Sequence, residues 1–422
     1  MNTASPPRDS GMMRTQPSGA GRWLRIAIVG ALTLVAAAVA FAVSYAAVME
    51  RRQGAAQALA LWPTSDARAS LAAQIITQPD RDGSYDRARR LVQAALQRDP
   101  MSVSAASTLA FLAAGQGDGR KAARLLAYSE RLSRRHLPTQ LALSEARVQA
   151  GDVAGALIHY DRALRTSKAS ESILFPLLVP AVADLNIARA LAPHLAARAD
   201  WWLPFTLQMI QQGTPAPSSY VLLHALKLDI RRPEERAMAV DAMQRMAGDS
   251  RVDLAARLYG ELRHGPAPSG SGIHDGRFRS SDMLPPFDWD LTNTGDLSAS
   301  VEARPDGKGN GLFLVATNGA SGRVARQLLV LPAGHYALGF DIGLPASGAR
   351  VTASARCNGA DAPLAFTRPT PAATTRRVDM PFAVTPTCRG VWIEFSTQAS
   401  EGMDTSAPWI GAVSVTPRSS RP

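Results

Sequence analysis

The chain has 422 residues, 46% of them hydrophobic and only 6% aromatic, with a net charge of +11. That length exceeds one ordinary domain, and two or three are expected. The charge is spread thinly, with 26 basic against 20 acidic residues over 53–272 and 14 against 13 over 273–422. No dense basic block with interleaved aromatics occurs, which argues against nucleic acid as a partner.

Residues 1–21 are rich in Pro, Gly, Ser and Thr with little apolar content, and read as a disordered cytoplasmic tail. Residues 22–50 read as a single transmembrane anchor. From Ile26 to Met49 there are 24 positions without a charge. A helix of that length spans about 36 Å, enough to cross a bilayer with some tilt. Trp23 and Tyr45 lie near its ends, where amphipathic rings favour the interface. Arg8, Arg14, Arg22 and Arg25 precede it, against Asp9, which favours a cytoplasmic N-terminus and an exported bulk, although Arg51 and Arg52 weaken the asymmetry. A cleaved signal, with Ser44-Tyr45-Ala46 as its site, and the inverted orientation stay open as alternatives.

Gly83, Gly117 and Gly151 recur at a period of 34, each followed five residues later by an alanine, at Ala88, Ala122 and Ala156. Asp118 and Asp152 follow the second and third glycines. Such a period marks stacked helical hairpins, each too small to bury its own apolar face. Helices are predicted from Tyr85 to Leu96, stopped by Asp99-Pro100, then over Val103–Ala114, Lys121–Leu132, Leu141–Ala150 behind Pro138, Ala154–Leu164 and Leu185–Ala199. The pattern weakens over 167–262, where Pro176, Pro180, Pro193 and Pro204 are expected to interrupt the helices. On Ala88, Ala122, Ala156, Gly117, Gly151 and the second small position at Ala95, Ser129 and Ala163, the region 53–264 resembles the tetratricopeptide repeat family. The resemblance implies an all-α solenoid whose packing rests on these small residues and whose concave face takes an extended peptide or partner protein.

The stretch 265–275, opening on Gly265-Pro266-Ala267-Pro268, reads as a linker. Beyond it, over 276–417, the period changes to two. Strands are predicted over Leu297–Ala303, Gly311–Thr317, Val324–Leu331, His335–Ile342, Arg350–Cys357, Arg377–Val384, Arg389–Ser396 and Trp409–Val415. So many short strands without intervening helices argue for an all-β two-sheet sandwich. Tyr336, Leu338 and Phe340 would share one face, as would Val391, Ile393 and Phe395. The segments Pro286-Phe287-Asp288-Trp289, Leu331 to Phe340 and Trp409 to Val415 are similar to parts of jelly-roll domains related to carbohydrate-binding modules. The whole arrangement resembles membrane-anchored repeat proteins of bacterial exopolysaccharide systems.

Trp289, Trp392 and Trp409 are candidates for stacking on a sugar or for packing in the core. Trp392 points opposite to Val391 and Ile393 and is the best stacking candidate. Cys357 and Cys388, the two cysteines, both fall at strand ends, and in an exported protein they are expected to form a disulfide. The acids Asp282, Asp288, Asp290 and Asp296 are scattered, so no metal site is assigned and no cofactor is expected. The seven histidines are dispersed, and no metalloprotease, nucleophile-elbow or phosphate-loop motif occurs. The expectation is a non-catalytic protein of the bacterial inner membrane with its bulk in the periplasm. It would act as a scaffold of a cell-envelope assembly serving polysaccharide synthesis or export, binding an envelope protein through its repeats. The alternative is a glycan-binding protein acting through the sandwich.

Overall fold

A computed structural model describes residues 64–418 except 78–82, 271, 344–349, 370–374 and 400–406, together with a few positions between 54 and 59. The proposed tail and the Ile26–Met49 anchor lie outside the described residues, among which no helix is long and apolar enough to cross a membrane. The chain divides into two compact units between Ala146 and Arg147.

Within the first unit, α1 (Ser65–Thr77) pairs with α2 (Ser84–Arg98), and α3 (Val103–Gly115) with α4 (Gly119–Leu132). The division falls inside α5 (Leu137–Gln149). The second unit continues with α6 (Val153–Thr166), α7 (Ala169–Ala181), α8 (Leu185–Ala196), α9 (Trp202–Gln211), α10 (Ala216–Leu226), α11 (Pro233–Gly248) and α12 (Val252–Leu262). There α7, α9 and α11 neighbour one another in one layer, and α6, α8, α10 and α12 in the other. Alternating hairpins of this kind are compatible with a repeat solenoid.

The 34-residue period has a local cause. Gly117 and Gly151 sit at φ of 80° and 71°, a left-handed conformation that side chains resist. At each, the glycine amide bonds the carbonyl three residues back, and the next amide the carbonyl five residues back: Gly117 to Ala114 and Asp118 to Ala113, Gly151 to Val148 and Asp152 to Arg147. This is the Schellman termination of one helix. The aspartate then caps the next, Asp118 accepting from the Lys121 amide and Asp152 from the Gly155 amide. Ala88, Ala122 and Ala156 are buried where paired helices meet, as are Ala95, Ser129 and Ala163. Ser129 stays polar because its hydroxyl meets that of Thr139 at 2.7 Å.

The prolines do not interrupt the array as expected. Pro176 and Pro180 lie inside α7 and Pro193 inside α8. Each removes one amide donor, but buried Leu174, Phe175, Leu178 and Val179 hold α7 against its neighbours, so tertiary packing offsets the loss. Pro204 stands in the first turn of α9, where its missing N–H has no helical partner to lose.

The sandwich has two five-stranded antiparallel sheets among the described residues. Its strands are β1 (Asp290–Leu291), β2 (Leu297–Ala303), β3 (Asn310–Ala316), β4 (Ser321–Leu329), β5 (Gly334–Gly343), β6 (Arg350–Cys357), β7 (Pro363–Thr367), β8 (Arg376–Val384), β9 (Val391–Gln398) and β10 (Trp409–Pro417). Their order is β1-β4-β9-β6-β7 in the first sheet and β2-β3-β10-β5-β8 in the second. The two-residue alternation sends Tyr336, Leu338 and Phe340 from β5, and Val391, Ile393 and Phe395 from β9, into one core. Cys357 and Cys388 are disulfide-bonded, with Cα atoms 5.6 Å apart.

The segment 265–275 differs from a free linker. The Gly265 amide bonds Gly260 O, and the Gly270 amide bonds Val330 O. A Cβ on Gly272 would come within 2.7 Å of Val415 O, so the backbone lies directly on β10. The last hairpin is joined to the sandwich in the same way. Asn358 Nδ2 donates to Ala247 O at 2.7 Å, and the Gly390 position lies against Val252. Thus α11 and α12 cover part of the outer face of the first sheet.

Candidate functional site

The helix α12 carries Tyr259 on its buried face, and the following Arg263 closes the helix end. The Tyr259 ring lies 5.3 Å from that of Phe287, and its hydroxyl donates to Asp288 Oδ1 at 2.7 Å. Burial, then the bond to Asp288, pushes the Tyr259 hydroxyl well above the usual tyrosine range, so it stays a donor at physiological pH. Asp288 is itself buried and gathers three further donors. Arg263 Nη2 and the Leu284 amide reach Oδ2 at 2.6 and 2.7 Å, and His274 Nδ1 lies 2.6 Å from Oδ1. A carboxylate this far from water needs that many partners.

His274 is fixed twice. Its ring rests on Asp288, and its backbone is clamped by the buried Gln327 of β4, which accepts from the His274 amide at 2.9 Å and donates to its carbonyl at 3.0 Å. The His274 side chain is nonetheless 61% exposed. Arg263 Nη1 also reaches Asp282 Oδ2 at 2.6 Å, and Arg236 of α11 pairs with the same carboxylate. Tyr259, Arg263, His274 and Asp282 line a cleft of about 500 Å³ between α12, residues 265–269 and the end of β4. Tyr259, Phe287, Pro266 and Leu329 supply rings and apolar wall, while His274, Ser280 and Asp282 supply polar rim. The size and the mixture are those of a small-ligand site. The cations Arg263 and Arg236 are matched by Asp282 and Asp288, so the cleft suits a neutral, hydroxyl-rich molecule with apolar ring faces.

The three candidate tryptophans lie elsewhere. Trp289 is in the sandwich core, between Phe278 at 5.4 Å and Phe395 at 5.9 Å. Trp392 does point away from the core, but outward on this sheet means toward α11. Its Nε1 donates to Asn358 Oδ1 at 2.9 Å, and the Arg326 guanidinium covers its ring at 4.4 Å. It sits at the junction with α11, partly buried. Trp409 lies on the outer face of the second sheet, buried beneath the Arg304 guanidinium at 4.5 Å. Arg304 is held there by Asp306 at 2.5 Å and Asp341 at 3.1 Å.

Among the scattered acids, Asp282, Asp288 and Asp290 are engaged by arginines and Asp296 accepts from Asn318. Among the described residues no group of three or more potential ligands is arranged for a metal ion. Sequence reading missed the cleft because its residues come from four separate segments. The one available signal was the segment Phe287-Asp288, noted for its fold likeness alone.

No protein-family model matches the chain, and no curated protein matches it. Several solved structures overlap part of the chain at low similarity. The enzymatically active domain of tailspike protein 4 from bacteriophage CBA120 is 17% identical, with 35% of this chain covered and a TM-score of 0.29. This chain spans 22% of that domain's length. An apo cyclase from Fischerella sp. is 15% identical over 36% of this chain and 100% of its own, with a TM-score of 0.27. TmCBM61, solved with beta-1,4-galactotriose, is 13% identical over 35% of this chain and 96% of its own, with a TM-score of 0.26.

Proposed function

We propose that the chain is a non-catalytic glycan-binding protein that holds a neutral saccharide in the cleft between α12 and the sandwich. One observation carries the reading: a cleft of about 500 Å³ that sets the Tyr259 and Phe287 rings beside the fixed polar groups of His274, Ser280 and Asp282. Sugar rings have apolar C–H faces that lie on aromatic or proline surface and hydroxyls that need directional partners. In this reading Ile26–Met49 anchors the protein in a bacterial inner membrane, the remainder is periplasmic, and the glycan belongs to an envelope or exported polysaccharide.

A glycan array probed with the full chain tests it. Binding to neutral oligosaccharides should fall at least tenfold in His274→Ala, and in Ser269→Trp, which fills the cleft from an exposed position. No binding to any neutral glycan, or wild-type affinity in both variants, would refute it.

A second reading has its own observation. Helix α7 exposes Ile173, Pro176, Leu177 and Pro180 along one stripe at helical spacing, with Ile173 and Leu177 at 45% and 57% exposure. The neighbouring α9 adds exposed Leu207. Uncovered apolar stripes on a solenoid layer are docking faces for partner helices or peptides. The repeats would then recruit an envelope protein in the tetratricopeptide manner while the sandwich holds glycan. Crosslinking in native membranes with Ile173→Glu and Leu177→Glu should lose a specific protein neighbour while glycan binding persists; unchanged neighbours would remove this reading.

A further inference from the structure

Helices α11 and α12 cover only one end of the first sheet. At the other end β6 sends Val351, Ala353 and Ala355 into the core, so Arg350, Thr352, Ser354 and Arg356 face outward. On the paired strand β9, Ser396 and Gln398 stand opposite Thr352 and Arg350. On the edge strand β7, Phe366 stands opposite Ser354 and is 60% exposed. A concavity of about 390 Å³ lies here, lined by Arg350, Arg368, Thr352, Ser396 and Gln398 among others.

Among the described residues the charges on this face do not cancel. It carries Arg323, Arg326, Arg350, Arg356 and Arg368 against the carboxylates of Glu394 and Asp290. Arg323 and Arg356 both close on Glu394, and Arg326 closes on Asp290 at 2.8 Å. Arg350 and Arg368 have no carboxylate partner among the described residues, and both are exposed. Among the described residues that line the concavity, Ser321, Thr352, Ser396, Thr397 and Gln398 supply hydroxyls and an amide, Val351 and Pro369 are apolar, and none is acidic. The Arg368 guanidinium stands 5.8 Å from the centroid of the exposed Phe366 ring. Residues 273–422 as a whole are nearly neutral, so this excess of cations is local.

We propose that this face is a second glycan site and that it binds an acidic polysaccharide. Arg350 and Arg368 each take a uronate carboxylate through the paired N–H groups of a guanidinium, the geometry that favours arginine over lysine. Phe366 lies under an intervening sugar ring, and Thr352, Ser396 and Gln398 take hydroxyls. Duplex nucleic acid, with a charge about every 1.7 Å, needs a denser run of unpaired cations than two. The site shares the glycan-binding reading of the protein but does not depend on the cleft beside α12, which is lined by other residues.

The test uses the full chain in detergent, with polygalacturonate as probe and its methyl ester and duplex DNA as comparisons. The chain should bind polygalacturonate at least tenfold more tightly than either comparison. The double variant R350Q/R368Q should lose at least tenfold and F366A several-fold, whereas H274A and S269W should bind it unchanged. All three altered side chains are exposed, and near-ultraviolet circular dichroism confirms that the variants keep their fold. Absence of polygalacturonate binding, equal affinity of the double variant, or DNA bound as tightly as polygalacturonate would each overturn the proposal. Loss of polygalacturonate binding in S269W would transfer that ligand to the cleft and overturn it as well. Failure of neutral oligosaccharides alone would instead count against the cleft and leave this result standing.

Discussion

Removing the disulfide by the double substitution Cys357→Ser and Cys388→Ser is expected to destabilise the sandwich by about 3.7 kcal/mol. The bond closes a loop of 31 positions. The chain-entropy relation for that length gives about 12 cal/mol/K, or roughly 3.7 kcal/mol at 25 °C. The native contacts around it should survive the substitution. Cys357 is the last residue of β6 paired with β9, and the adjacent Asn358 amide donates to Gly390 O at 2.8 Å. Asn358 also joins Trp392 to Ala247 through its side-chain amide. The loss is therefore entropic and belongs to the unfolded chain. Urea unfolding followed by tryptophan fluorescence should show the transition of the second unit shifted to lower urea, with a slope equal to or steeper than that of the crosslinked chain, whose unfolded state exposes less surface. Two compact units need not unfold in one step, so that transition must be fitted separately. A loss below about 1 kcal/mol would refute the loop-entropy reasoning.

Glu235→Gln should destabilise the second unit by about 3 kcal/mol near neutral pH, because it breaks a buried ion pair. Glu235 accepts from both terminal nitrogens of Arg198 at 2.9 and 2.8 Å and from the Asp229 amide at 2.8 Å. The Arg198 hydrogen bonds hold its carboxyl below the ordinary 4.5. A lowered folded value means that the stabilisation is complete above 4.5 and drains away as pH falls beneath it. Urea midpoints across that range should therefore converge for wild type and variant at low pH. Ala156→Leu, at a buried helix contact, should cost about 1–3 kcal/mol by overpacking, read as a lower urea midpoint. Trp392→Phe should cost about 1 kcal/mol through the lost bond to Asn358 and leave saccharide binding unchanged, measured on the same glycan array.

What the sequence revealed and hid follows from the range of the interactions. The glycine–aspartate turns and the small residues after them are local devices, so the hairpins from α2 to α6 were legible from spacing alone. The strands were legible wherever one face is core, as in β5 and β9. The short β1 and the edge strand β7 escaped, since two or five residues carry too little alternation. Helix α7 was obscured by prolines whose local cost is offset by packing that a single segment does not display, whereas α8 was legible from the repeat over 185–199. The orientation of Trp392 was read correctly, but its surroundings were not, because α11 arrives from more than a hundred positions away. The cleft was hidden for the same reason. His274, Asp288 and Tyr259 have no motif in common, and only the docking of α12 on the sandwich brings them together.

The fastening of 265–275 onto β10 and α12 has a mechanical consequence. A flexible tether would let a ligand-holding sandwich reorient while the helices stayed still, and tension on a captured chain would first be spent straightening it. Here slack is absent at that point. A pull applied to the sandwich would pass through the Asp288–Arg263 ion pair and the Asn358–Ala247 bond into the last helical hairpin.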